Sequence, residues 1–366
     1  MQIYNVVPKL FLSLHGMLSN LPSELFDLIA EAVILHEDPP PPDIATAAAN
    51  RHDEAVFEAF HDTKVVTQRG TIASNSAGLL RSSRALAMRT REVLKRLYAS
   101  STSGLSLKLD VLIVGERELW TTWLHIPTLQ RPVKRLDVRV RIADGHTIGK
   151  NNGWNTASTG PAALIHCFYF LLRAFLHRGP MFDTAREAGW GTVPTTALDG
   201  LSDHDVIVHE LNIKASALDE SKIVPDDMYS DWNTARRRVR RHDVEPAIVD
   251  SATRQQFDMC LSPERLLHRL DGSYGFSYML GMYEPEYGTI LYERLGKMTL
   301  FIGDTVWRTF DLGASFAGLV KSDFFGQVPA SERPSKFALW WYATRARRLQ
   351  HGMPGGDTTD EGADIP

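Results

Sequence analysis

In Lys134-Arg135-Leu136-Asp137-Val138-Arg139-Val140-Arg141-Ile142, charged and apolar residues alternate strictly from Arg135 onward. In an extended chain Leu136, Val138, Val140 and Ile142 fall on one side and Arg135, Asp137, Arg139 and Arg141 on the other, so the stretch reads as a strand with one buried and one solvated face. Upstream, Leu107-Lys108-Leu109-Asp110-Val111-Leu112-Ile113-Val114 is apolar on both faces and reads as a central strand. Between the two, Glu116 to Leu124 has Trp120, Trp123 and Leu124 at helical spacing and reads as a helix. Strand, helix, strand suggests a βαβ-type unit, with a crossover that is short for a parallel pair.

Further downstream the period changes repeatedly. Pro161 to Arg178 reads as a buried helix closed by Gly179-Pro180. Val206 to Ile213 reads as a strand, Tyr229 to His242 as a basic helix, and Ser262-Pro263-Glu264 as the start of another helix ending near Gly272. Lys297 to Ile302 and Val306 to Leu312 read as a hairpin around Gly303-Asp304. Phe337 to Leu349 is a last helix carrying Trp340, Trp341 and Tyr342. The expected architecture is α/β or α+β: a mixed-sheet body with flanking helices over residues 105–352. The acidic tail at 353–366 is expected to be disordered.

Residues 1–104 read differently, as a helical module. Leu21, Leu25, Leu28, Ile29, Ala32 and Val33 form one helical stripe, widened by Phe26 and Ile34. Pro22 suits a first helical position and Glu24 a first turn. The run Pro39-Pro40-Pro41-Pro42 ends that helix and starts an extended linker. Ala45 to His61 has a weaker helical pattern. Ser76 to Tyr98 reads as a basic helix, with Leu79, Leu80, Leu86, Val93, Leu94 and Leu97 on its apolar side.

Two motifs in this module carry a resemblance. Leu21-Pro22-Ser23-Glu24-Leu25 with its apolar helix, and Leu79-Leu80-Arg81-Ser82-Ser83-Arg84, resemble the two halves of an F-box and the pattern of fungal F-box-like proteins of unknown role. The resemblance covers the first hundred residues. It departs from the family in its spacing, because residues 35–78, with the proline run, separate the motifs. It implies a non-catalytic interaction protein, in which Leu21, Pro22, Leu25, Ile29 and Val33 dock on the Skp-type adaptor of a cullin ubiquitin ligase and the body holds a protein substrate. The stripe by itself does not separate this from an ordinary core-facing helix. Burying each Leu or Ile contributes about 1.5–3 kcal/mol whichever molecule supplies the other surface.

Composition bounds the remaining classes. The chain has 366 residues, 43% hydrophobic and 23% charged, which is ordinary globular usage. A net charge of −4 argues against a nucleic-acid protein defined by bulk basicity. Two cysteines, Cys167 and Cys260, exclude a disulfide framework and point to a reducing compartment. The first twenty residues lack a secretory pattern and the 161–178 helix is broken by His166, Arg173 and His177, so no membrane span is expected and a cytoplasmic or nuclear protein is.

Chemistry-bearing motifs are sparse. GxSxG, HExxH, CxxC, GxGxxG and P-loop patterns do not occur. Gly272-Ser273-Tyr274-Gly275 has the wrong spacing for a nucleophile elbow and reads as a turn. Cys167, inside an apolar helix, is expected to be inert with a raised pKa. In Asp203-His204-Asp205 with His209 and Glu210, the two histidines fall on opposite faces of a strand, so no metal or cofactor is expected. The residues Arg236, Arg237, Arg238, Arg240 and Arg241 form a basic stripe that reads as a solvated helix face or as a phosphate- or RNA-contacting site. A globular hydrolase or transferase with an unrecognised site is the enzymatic alternative.

Overall fold

A computed structural model describes residues 20–52, 63–69, 72–100, 105–115, 117–129, 132–143, 163–180, 206–219, 262–271, 289–319 and 333–355, together with residues 18, 55, 57–58, 276 and 280. Their centre is one eight-stranded sheet. The strands are β1 (Phe57–Glu58), β2 (Lys64–Thr67), β3 (Leu107–Val114), β4 (Glu118–His125), β5 (Val133–Ile142), β6 (Val208–Ala217), β7 (Leu295–Ile302) and β8 (Thr305–Asp311). They run in the order β1-β2-β4-β3-β5-β6-β7-β8. Strands β3, β5, β6 and β7 are mutually parallel, while β4 is antiparallel to β3 and β8 is antiparallel to β7. The sheet is mixed and flanked by helices, as the periodicities predicted.

One expected element is overturned. Glu118–His125 is strand β4, not a helix, and β3 and β4 form an antiparallel hairpin. Gly115 turns the chain with φ +57, a conformation that glycine adopts without Cβ strain, and the Arg117 amide closes the turn on the Val114 carbonyl at 3.1 Å. Trp120, Trp123 and Leu124 mimic helical spacing. Extended, they divide between the two faces, and the adjacent Thr121 and Thr122 favour the pleated conformation. The β3-to-β5 connection therefore passes through an antiparallel strand rather than a crossover helix.

The segment between the two N-terminal motifs also joins the sheet. After α1 (Ser23–Ile34) the chain is extended through the proline run, forms the short α2 (Ile44–Ala49), and then supplies β1 and β2. Strand β2 lies parallel to β4, with Val65 beside Leu119. The weak helical pattern at 45–61 thus resolves into one six-residue helix and an edge strand.

The two faces of the sheet differ. Leu109, Val138, Ile213 and Leu300 are in register on the core face, as are Leu107, Leu136, Leu211 and Met298. Helix α5 (Ala163–Arg178) belongs to the same core: Leu164, Cys167, Phe175 and Leu176 are each at most 2% exposed. Gly179 ends it at φ +69. Gly296 at the start of β7 admits no side chain, since a Cβ there would lie 2.5 Å from the His209 carbonyl oxygen.

On the opposite face the expected solvation holds only in part. Arg135 and Arg139 reach water, but Arg141 is buried in a bidentate pair with the fully buried Asp110, Nε to Oδ1 at 2.8 Å and Nη2 to Oδ2 at 2.7 Å. Helix α2 covers this end: Ala47 packs with Leu112 and Ala143. Arg51, also buried, donates to the Thr121 carbonyl and, at 2.5 Å, to the Thr122 hydroxyl. Burial draws its guanidinium down to about 10, opposed by the charge of Asp110.

The remaining helices are α3 (Ala77–Ser82), α4 (Arg84–Ser100), α6 (Pro263–Asp271), α7 (Thr289–Arg294), α8 (Leu312–Leu319) and α9 (Arg333–Gln350). The single basic helix expected over 76–98 is broken at Ser83, whose hydroxyl caps α4 by accepting from the Leu86 amide at 3.2 Å. On α9, Trp341 is buried and stacks on Phe316 with ring centroids 5.4 Å apart, while Tyr342 is exposed. Buried Arg348 donates to the carbonyls of Tyr292, Leu295 and Pro354, the last two at 3.1 and 2.7 Å. That guanidinium ties α9 and residue 354 to the start of β7. Among the described residues no helix is long and apolar enough to cross a membrane.

Candidate functional site

Helix α1 presents two apolar stripes. Phe26, Ala30 and Ile34 are buried at i, i+4 and i+8 and pack with Leu86, Val93, Leu94 and Leu105 as a core separate from that of the sheet. The neighbouring stripe points outward. Leu25 is 49% exposed, Leu28 63%, Ile29 40% and Val33 39%, with Ala32 exposed between them. The sequence reading put Phe26 and Ile34 at the margin of one broad stripe. They are instead the inward face, and the residues at its centre face solvent.

The start of α1 is held from α4. Pro22 is the cap rather than the first helical residue, and its carbonyl accepts from the Phe26 amide at 3.1 Å. The Arg89 guanidinium donates to the carbonyls of Pro22 and Leu21 and lies 4.1 Å over the Phe26 ring. Leu21 is half-buried against the same small core and Pro22 is exposed. Two turns further along α4, Arg96 bridges Asp27 at 2.9 Å and Glu31 at 2.8 Å, and the hydrogen bonds to Glu31 and Asp27 raise its pKa.

The exit of α1 is bolted to the sheet. The His36 carbonyl accepts from His125 Nδ1 and from Asn75 Nδ2, each at 2.6 Å, and Asn75 also reaches the Ile34 carbonyl at 3.2 Å. The Asp38 amide donates to the Leu124 carbonyl at 2.8 Å, and Lys108 pairs with Glu37. Burial lowers the pKa of His125. The outward stripe is therefore carried by a helix fixed at both ends.

Two concavities accompany this surface. A trough of about 340 Å³ lies on the polar face of the sheet between the chain after α1 and the β7–β8 turn. Its cations are mostly neutralised from within: Arg135 by Asp137 at 3.0 Å, Lys214 by Asp304 at 2.7 Å and Lys108 by Glu37, with Arg139 left exposed. A second groove, of about 310 Å³, lies along α3 and α4.

The other sequence-derived candidates fare unequally. Arg236, Arg237, Arg238, Arg240 and Arg241 lie outside the described residues, as do Cys260, Asp203-His204-Asp205 and Gly272 to Gly275. Cys167 is buried in α5, and burial pushes its thiol up to about 12. His209 lies half-buried on β6, where desolvation lowers its pKa. Among the described residues no three His, Cys, Asp or Glu side chains converge as a metal site would require. The buried pair Asp110–Arg141 is not legible in the sequence, because alternation assigns Arg141 to a wet face and Asp110 sits in a stretch that reads as apolar on both faces. In comparison with known proteins the chain matches no family, no curated protein and no solved structure.

Proposed function

We propose that the N-terminal module is a docking element, and that the outward stripe of α1 engages the Skp-type adaptor of a cullin ubiquitin ligase. The observation that carries this reading is the division of labour on one short helix. Phe26, Ala30 and Ile34 satisfy the chain's own core, whereas Leu25, Leu28, Ile29 and Val33 lie outside that core and keep about half of their surface in water. About half of each of these four side chains remains to be buried, which leaves roughly 3–6 kcal/mol of apolar gain for a partner with a matching groove. The LPSEL and LLRSSR motifs support the choice of adaptor, and the body then serves as the receptor for a protein substrate.

Copurification of the full chain with the adaptor tests the reading. Leu25→Asp/Ile29→Asp is expected to abolish recovery while leaving the melting temperature within a few degrees of the native chain, because neither side chain is part of the folded core. Equal recovery of native and variant chains, or no recovery of either, discards it.

A further inference from the structure

Helix α4 sorts its cations by flank. Arg89 and Arg96, two turns apart, both face α1 and are both engaged there. Arg91 occupies another flank, where it lines a groove with Ala77, Leu80 and Arg81 of α3, and Arg84 shares its two-turn spacing. Residues 77–100 hold six cations, Arg81, Arg84, Arg89, Arg91, Lys95 and Arg96, against the single acid Glu92. Helix stability does not account for this excess. Arg84 begins α4, where the helix macrodipole disfavours a positive charge, and the first turn of α4 carries no acid.

The groove lies on this second flank. Its lining combines apolar Ala77, Leu80 and the buried Leu94 with the buried hydroxyl residues Ser74 and Thr128, and the half-exposed Leu129 completes it. Arg81 and Arg91 flank it, and both are exposed without a hydrogen-bond or ion-pair partner among the described residues. Its volume of about 310 Å³ sits at the low end of the ~300–1,000 Å³ typical of ligand pockets. It suits one bulky side chain with its neighbouring backbone better than a cofactor. The contrast with the sheet trough is one of charge balance: there most cations already have carboxylates, and here the carboxylates are missing.

We infer that this groove binds a short acidic peptide segment of a partner protein, with one leucine-like side chain on the Leu80–Leu94 patch and flanking carboxylates forked by Arg81 and Arg91. An apolar patch of Leu80 and Leu94 beside hydroxyl groups and two guanidiniums favours a peptide, with its mixed side chains and backbone, over a nucleic acid, whose backbone would leave that patch unfilled. The site is separate from the outward stripe of α1, and its occupancy does not depend on adaptor binding.

The test uses the full chain and the blocked peptide acetyl-Glu-Asp-Leu-Glu-Asp-amide carrying a fluorophore, read by anisotropy. Arg81→Glu/Arg91→Glu is expected to weaken binding by about tenfold or more with an unchanged melting temperature, since both side chains are exposed. Replacing the central Leu of the peptide with Gly is expected to cost about fivefold or more. Absence of binding by the native chain, equal binding by the charge-reversed chain, or indifference to the central residue overturns the inference. So does tighter, Arg81- and Arg91-dependent binding of a single-stranded oligonucleotide or of phosphatidylserine vesicles. Because Leu25→Asp/Ile29→Asp leaves this groove untouched, that variant is expected to bind the peptide like the native chain.

Discussion

Helices α1 and α5 are both rich in Leu, Ile, Phe and Ala, yet they end in opposite environments. Eleven of the side chains from Leu164 to Leu176 on α5 are at most 8% exposed. On α1 only Phe26, Ala30 and Ile34 are buried, while Leu25, Leu28, Ile29 and Val33 face water. The difference lies in what each helix meets. Helix α5 lies in the main core and is surrounded by apolar side chains. Helix α1 packs on one side only, against a small core built mainly by α4, and packing on one side covers only one stripe. Similar composition therefore marks a core pillar in one place and a presented surface in the other.

Substitutions can break this comparison at its strongest point first. Phe175→Ala on α5 is expected to cost about 3–5 kcal/mol, because the cavity opens in a packed interior and cannot collapse fully. On the buried end of the sheet's polar face, Asp110→Asn is expected to cost a similar 3–5 kcal/mol, since it leaves the guanidiniums of Arg141 and Arg51 buried without a carboxylate. Urea unfolding of each variant measures both. At the other extreme, Leu28→Ser on the outward stripe is expected to change stability by no more than about 0.5 kcal/mol. A loss at Leu28 comparable to that at Phe175 would show that the stripe is covered by the chain itself and would remove the docking surface.

A pH series sharpens the contrast between the two regions. Burial lowers the pKa of His125, at the joint between α1 and the sheet, and of His166 on α5 and His209 on β6. A histidine depressed in the folded state keeps its full contribution above the unfolded value of about 6.5. Below that pH the unfolded chain takes up protons that the folded chain refuses, so stability falls as pH drops toward the depressed folded value. The urea midpoint is expected to decline between about pH 7 and about pH 5.5. His125→Gln is expected to flatten part of that slope, and an unchanged slope assigns it to the other two histidines.

Legibility from sequence followed the reach of the interactions. Strand β5 was readable because alternation records which face each residue must take, β3 as a short run apolar on both faces and β7–β8 from the Gly303-Asp304 turn between them, and the Pro-in, Gly-out signals placed α5. Residues 116–124 were misread because the spacing of Trp120, Trp123 and Leu124 fits two periods, and only the Gly115 turn and pairing with β3 choose between them. Arg141 was misread for a related reason: strand periodicity says which side a residue faces but not whether another element covers that side. The candidate site was readable as a stripe of residues, but not as an exposed one.

The chain's own pattern of polar and apolar residues determined that a mixed sheet with flanking helices would form, that α1 would be amphipathic, and that α3 and α4 would be basic. Local periodicity suffices for those outcomes because each residue carries its own preference for water. Tertiary structure alone decided that Asp110 and Arg141 would be sealed together, that β2 would join the sheet beside β4, and that Leu25, Leu28, Ile29 and Val33 would stay in solvent. Those outcomes depend on which surfaces meet across long separations in sequence, and an apolar side chain gains the same free energy from any surface that excludes water.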